Sequence, residues 1–323
     1  MKTEADLSII IVSYNTRDMT RRCLESVYKH SAGISCQIFV VDNASSDGSA
    51  DMVKVDFPCV NLIRLEKNMG FAAGNNQGIR NASGRYVLLL NSDAFISEGV
   101  LESTINYMDT NPNVGILGCR LTNPDASPQP SARMLPSPLN KFFVITGLSS
   151  RFPKSRIFGR VDFSWWDHSQ PRRVGWVVGA YFLIRSDTIA DIGLLDERYF
   201  LYFEEIDYCK AAQESGWDVI FYPYARVIHL GGQSAERTDK EISSKGRQLL
   251  NYRIESEFRY YRKWYGLTLV LISAGIELLW KGAVFLKNSL IRSPGALRKR
   301  TEALVTARII LSTLITDSFG KGK

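Results

Sequence analysis

The sequence predicts an α/β protein built on a mostly parallel, doubly covered sheet, with a helical C-terminal tail. Three observations carry this. Between residues 7 and 121, apolar runs of strand length alternate with helical patterns of about 10–15 residues, the signature of β-α-β units. The runs are nearly unbroken Val, Ile and Leu, as in strands buried on both faces. The pattern then changes at residue 247, where a charged helix leads into the apolar stretch 267–286.

The elements follow in order. Residues 7–13 form the first strand and 16–29 a helix; 36–42 is the second strand, and 47–57 a helix with Ser46 or Asp47 as N-cap. A third strand at 60–65 precedes a helix at 70–81, a fourth at 85–91 precedes a helix at 98–110, and 114–121 is again strand. Residues 122–171 have no period; Pro124, Pro128, Pro130, Pro136 and Pro138 crowd one part and Trp165-Trp166 sit in another, which predicts a functional loop or lid. Residues 173–185 read as strand, an acidic helix opens near Glu204 and ends at Gly216, and 217–229 is the last strand. A polar, mobile connection at 231–246 closes the first domain, 1–246; the tail is 247–323.

A chain of 323 residues buries enough surface for one large domain and an appendage. Its five cysteines are scattered without a C-x-x-C, so they read as reduced thiols. Residues 1–6 lead straight into a strand, which predicts no secretory leader and a cytosolic body. From Asn251 onward there are 13 Lys and Arg against 5 Asp and Glu, so a near-neutral body carries a basic tail. That argues against nucleic acid, which needs a basic stripe on the folded body. It favours an anionic membrane surface, at about 1 kcal/mol per basic residue. The stretch 267–286 is long enough to span a membrane, but Glu277 and Lys281 interrupt it. Their i,i+4 spacing permits pairing. The expected arrangement is a helix lying in or on the inner leaflet, with a basic amphipathic helix at 297–315; a single span and a homodimer through these helices are the alternatives.

Several residues invite chemistry. Asp42 ends the second strand, at the edge where open α/β sheets bind ligands, and either accepts from a pyrimidine N–H or caps a turn. The segment 68–78 is glycine-rich and opens a helix, so its N–H groups either face a phosphate or its glycines serve tight packing. Asp93 ends the run Leu88-Leu89-Leu90-Asn91-Ser92-Asp93, suiting a cation bridged to phosphate or a helix cap. Glu204, Glu205 and Asp207 suit a positioned base, or merely complement the helix dipole. His229 is one of 3 histidines and reads as a ligand or as a core residue.

The order of these pieces resembles the family 2 glycosyltransferases of GT-A fold, most closely the bacterial rhamnosyltransferase-like branch. The segments are 8–15, 41–48, 68–78, 89–93, Gly179-Ala180, 195–197, 203–207 and 228–232, which together cover residues 7–232. The resemblance implies that Asp42 reads the nucleotide base and that Ser13, Tyr14, Asn15, Asn68, Gly70, Asn76, Asn91, Ser92 and Asp93 complete the donor site. It implies Glu205 as catalytic base with Glu204 beside it, and Trp176, Gly179, Ala180 and Asp207 on the acceptor side. Asp93 and His229 would hold Mg²⁺ or Mn²⁺. Asn91 replaces the first acid of D-x-D, and Glu205 stands where the wider family often has Asp. The expected reaction is an inverting transfer from a nucleotide-diphosphate sugar, foremost deoxythymidine-diphosphate-rhamnose, to a saccharide acceptor linked to polyprenyl diphosphate. It would take place at the cytoplasmic face of the bacterial inner membrane, in cell-surface polysaccharide synthesis. A uridine-diphosphate hexose or galactofuranose donor is the alternative, and a non-catalytic sugar-nucleotide-binding or membrane-scaffold protein a second.

Overall fold

The computed structural model describes residues 5–231 and 244–318. The chain divides into two compact units, one comprising residues 5–135 and 167–231, the other 136–166 and 244–318. Residues 232–243 of the expected connection lie outside the described residues.

In the first unit, β1 (Leu7–Ser13), β2 (Cys36–Asp42), β3 (Asn61–Arg64) and β4 (Tyr86–Leu90) form a parallel quartet in the order β3-β2-β1-β4. Helices α1 (Arg17–His30), α2 (Ser49–Asp56) and α3 (Phe71–Ile79) are the crossovers. Every residue of β1 and of β4 is buried, which is why their sequences lack polar alternation. Ser8, buried within β1, is satisfied: its hydroxyl donates to Gln37 Oε1 at 2.9 Å and accepts from the Gly84 N–H at 3.0 Å.

Beyond β4 the sheet becomes mixed. A turn at 91–93 leads to β5 (Ala94–Ile96), α4 (Val100–Thr110) and β6 (Val114–Thr122). The strand expected at 173–185 divides into β9 (Arg172–Arg173), β10 (Trp176–Val177) and β11 (Tyr181–Arg185), and β11 lies between β4 and β6, antiparallel to both. The break has a steric cause at Gly175, where a Cβ would lie 2.2 Å from the Leu135 nitrogen. After α7 (Ser186–Ile192) and α8 (Glu204–Glu214), β12 (Asp218–His229) runs parallel to β6 and antiparallel to β5.

Part of the expected 122–171 loop is sheet: β7 (Pro128–Gln129) pairs with β6, and β8 (Ala132–Arg133) with β10. Residues 136–166 of it belong to the helical unit. There α5 (Pro138–Ile145) starts at Ser137, whose hydroxyl accepts from the Asn140 N–H, with Pro138 in the first turn. It is followed by α6 (Leu148–Arg151). The tail forms α9 (Ser244–Ser289) and α10 (Pro294–Ser318). Gly266 interrupts α9 at φ 76°, ψ −177°, so the charged and apolar halves foreseen in the sequence are separate helices. They fold back on each other: Arg253 reaches Glu277 at 3.3 Å, and the Ser273 hydroxyl donates to Glu257 at 2.6 Å. Glu277, expected to pair with Lys281, is buried and finds Lys141 of α5 at 2.5 Å.

Candidate active site

The acids lie at the carboxyl ends of the parallel strands, as the crossover topology requires. Asp42 ends β2 and is buried; its Oδ2 accepts from the Ser45 N–H at 3.2 Å, while its Oδ1 is buried without a hydrogen-bond partner. Ser13 ends the neighbouring β1, fully buried, its hydroxyl shared with Thr16 and Thr20. Tyr14 is exposed, and Asn15, held at φ 54°, accepts from the Ser46 N–H at 2.8 Å. This loop and the Asp42 loop therefore brace each other.

The glycine-rich turn does not offer its N–H groups to a phosphate. Met69 N–H donates to Asn43 Oδ1 (2.8 Å), Gly70 N–H to Asn68 Oδ1 (2.9 Å) and Phe71 N–H to the Phe200 carbonyl (2.8 Å). Gly70 is needed for another reason: φ is 87°, and a Cβ would sit 2.5 Å from the Phe200 oxygen. Asn76, expected on the donor, is fully buried and committed to the protein, donating to Leu195 O and Glu197 Oε1 and accepting from the Leu195 N–H. It ties α3 to the segment that leads into the acidic helix.

At the turn after β4, Asp93 Oδ1 lies 3.4 Å from His229 Nε2, and the Asn91 amide nitrogen is also 3.4 Å from that ring atom. Asn91 Oδ1 is buried and unpartnered. The Ser92 hydroxyl meets Thr16 at 3.1 Å. Sequence reasoning missed Gln129, which grips His229 twice: its Oε1 lies 2.9 Å from Nδ1, and its Nε2 donates to the His229 carbonyl at 2.7 Å. Nδ1–H donating to that oxygen leaves the Nε2 lone pair on the side of Asn91 and Asp93, where the Asn91 amide reaches it. A two-residue strand among prolines carries no periodic signal that would have exposed Gln129.

The second acidic cluster is reached through Asn91, whose N–H donates to the Ala180 carbonyl at 3.1 Å. The next residue back, Gly179, faces Glu205: a Cβ there would lie 3.8 Å from Glu205 Cβ. Tyr202 (φ 69°) and Phe203 (φ 71°) are consecutive bulky residues in the left-handed region, the strained backbone that functional sites retain. They turn the chain into α8 so that Glu204 and Glu205 point inward. Glu204 Oε2 and Glu205 Oε2 are both buried without a partner. Burial raises the Glu205 carboxyl to about 7, with the backbone N–H groups of Glu205 and Ile206, and then Arg133, pulling the other way. Burial, then the neighbouring Glu205, holds Glu204 well above the usual carboxylate range. Arg133, also missed in the sequence, lies on β8 opposite Trp176 of β10, 5.7 Å from the ring centroid. Trp176 donates to the Met134 carbonyl at 2.9 Å. Asp207 is buried and accepts from the Tyr199 hydroxyl at 3.2 Å, a contact that fixes the helix start.

A family model described as "Glycosyl transferase family 2" matches residues 8–166, which include Asp42, Asp93 and the whole parallel quartet. Residues 8–166 thus carry a family 2 glycosyltransferase domain. The chain is 25% identical over 244 residues to an N-acetylglucosaminyl-diphospho-decaprenol L-rhamnosyltransferase of Mycobacterium tuberculosis, covering 72% of this chain and 78% of the relative. A low-salt glycan biosynthesis hexosyltransferase of Haloferax volcanii is 28% identical, covering 74% and 71%. In fold, the chain matches a mannosyltransferase from Pyrobaculum calidifontis solved with GDP-Man and Mn²⁺ (TM-score 0.58, 14% identity, 99% of this chain and 89% of the other). The fold is that of the GT-A glycosyltransferases.

Proposed function

We propose that this glycosyltransferase moves rhamnose from deoxythymidine-diphosphate-rhamnose to a saccharide carried on polyprenyl diphosphate, with inversion at the anomeric carbon. One observation carries the reading. Four buried oxygens without partners (Asp42 Oδ1, Asn91 Oδ1, Glu204 Oε2 and Glu205 Oε2) belong to residues that the sequence singles out for donor binding and catalysis. Buried acceptors left open are costly, by about 1–3 kcal/mol each, so a site that keeps several is built for a ligand.

In this reading Asp42 accepts from the N–H of the pyrimidine. Glu205 removes the proton of an acceptor hydroxyl. The oxygen of that hydroxyl bonds to the anomeric carbon as the carbon–oxygen bond to the diphosphate breaks on the opposite face. Glu204, held neutral by burial and by the neighbouring Glu205, leaves Glu205 as the one of the pair that ionises. Asp93 and His229, with Asn91 Oδ1 beside them, fit a Mg²⁺ or Mn²⁺ ion, since two protein ligands plus diphosphate oxygens are the usual set for such ions. The bound ion would neutralise charge on the departing nucleotide. The rhamnose and lipid-linked acceptor rest on the activity named for the mycobacterial relative. The ion is supported by the mannosyltransferase solved with Mn²⁺. The apolar half of α9, long enough to cross a membrane, together with the basic surplus, supports attachment at the cytoplasmic face of the inner membrane.

Glu205→Gln keeps shape and removes the base. Transfer measured with saturating donor should fall of order 10²–10⁴-fold in kcat with donor affinity little changed. Retention of more than about a tenth of the activity would take the base role from Glu205. Thermal shift against a panel of nucleotide sugars tests the donor separately. A response to uridine-diphosphate hexoses, and none to deoxythymidine-diphosphate-rhamnose, would replace the proposed sugar.

A further inference from the structure

Residues 136–161 carry Lys141, Arg151, Lys154, Arg156 and Arg160 and no Asp or Glu. The segment nonetheless exposes large apolar side chains: Ile157 is 62% exposed and Phe152 47%, with Leu139, Phe142 and Val144 also open. In the loop 151–157 every residue except Ser155 is exposed, so the surface reads Arg-Phe-Pro-Lys-x-Arg-Ile, bases alternating with apolar groups.

This loop is well built. The Ser155 hydroxyl accepts from the Ile157 and Phe158 N–H groups, its carbonyl accepts from the Gly159 N–H at 2.8 Å, and the Ser164 hydroxyl donates to Pro153 O at 2.8 Å. Gly159 is obligatory, because a Cβ would lie 2.2 Å from the Pro153 oxygen. Phe158 anchors the loop from beneath, its ring 5.1 Å from that of buried Phe143 and 5.5 Å from that of Phe152. A loop fixed this firmly, yet presenting Phe and Ile to water between cations, matches the chemistry of a bilayer interface. It shares one compact unit with α9 and α10, whose exposed residues include Leu279 and Leu286, and Leu297, Leu304 and Leu311 at seven-residue spacing.

We infer that 136–161 is a second membrane-docking element, in which Phe152 and Ile157 insert among the headgroups of an anionic bilayer while Arg151, Lys154 and Arg156 bind their phosphates. The inference extends the membrane part of the proposed function, which places only the tail at the lipid. It gives this segment, expected as a functional loop or lid, the role of a foot on the membrane.

The test uses the full chain in vesicles of phosphatidylglycerol and phosphatidylcholine, or of phosphatidylcholine alone. A polarity-sensitive dye is placed at Ile157→Cys or, separately, at Leu279→Cys, with Cys36 and Cys59 replaced by serine. Quenching by nitroxide-labelled lipid reads depth. The expected result is quenching at position 157 in anionic vesicles. It should fall at least about threefold in neutral ones, and likewise when Arg151, Lys154 and Arg156 are all replaced by serine. Quenching at 279 without quenching at 157 overturns this inference and leaves the tail reading intact. Quenching at neither position overturns both. Quenching at 157 that ignores both lipid charge and the triple substitution also overturns it, because the basic residues then contribute nothing.

Discussion

The two units bury their acids in opposite ways. In the helical unit, Glu257 and Glu277 are nearly inaccessible, yet Lys141 lies 2.7 Å from one and 2.5 Å from the other, and Arg253 adds a further cation at 3.5 and 3.3 Å. In the sheet unit, Glu204 and Glu205 are adjacent acids whose outer oxygens meet no donor, and burial raises both. Burying a charge is costly unless it is paired. The paired acids therefore serve the fold, whereas the unpaired ones put a cost on the fold for the sake of a substrate hydroxyl. The same residue type thus has two meanings, separated by where its counter-charge comes from.

The contrast breaks most visibly at Lys141. Lys141→Met removes the cation that the two buried carboxylates share, and should destabilise the helical unit by about 3–5 kcal/mol, read as lost thermal stability of the full chain. An unchanged melting profile would mean that these acids do not depend on the cation. Gln129→Leu probes the metal side of the sheet unit. Freeing the His229 ring should weaken Mn²⁺ binding, titrated with nucleoside diphosphate present, by about 10–100-fold. Equal affinity would remove His229 from the ion. The smallest effect concerns stability. The folded Glu205 pKa of about 7 lies above its ordinary 4.5. Protonation therefore favours the native state, fully below the ordinary value, and that contribution is lost as pH rises through about 7. Glu205→Gln should therefore melt higher than wild type at pH 8, by about 1–3 °C, and equally at pH 4.

Much of this was legible in the sequence. The nearly unbroken apolar runs of β1, β2 and β4 gave the parallel core, and the change from charged to apolar residues near 267 gave the two halves of the tail. Asp42, Asp93, Glu205 and His229 stood out because each ends or opens a clear element. What stayed hidden was set by tertiary contact. The direction of β11 depends on which strands flank it, not on its own composition. Gln129 and Arg133 sit on two-residue strands with no period to detect. Asn76 looked like a ligand-binding amide until its partners at 195–197, 119 and 121 residues away, accounted for it. The partner of Glu277 was equally invisible, since Lys141 lies in a proline-rich stretch that reads as loop.

The central claim is that Glu205 is buried with one oxygen left open in order to act as a base near neutral pH, and the pH dependence of kcat addresses it most directly. With saturating donor and acceptor, kcat should rise about tenfold per pH unit below the Glu205 pKa and level off above it, with an inflection near 7. Glu205→Asp should keep the same form at a lower plateau, and Glu205→Gln should lose the inflection. A wild-type profile that is flat from about pH 5 to 9, or an inflection that survives in Glu205→Gln, would contradict the account.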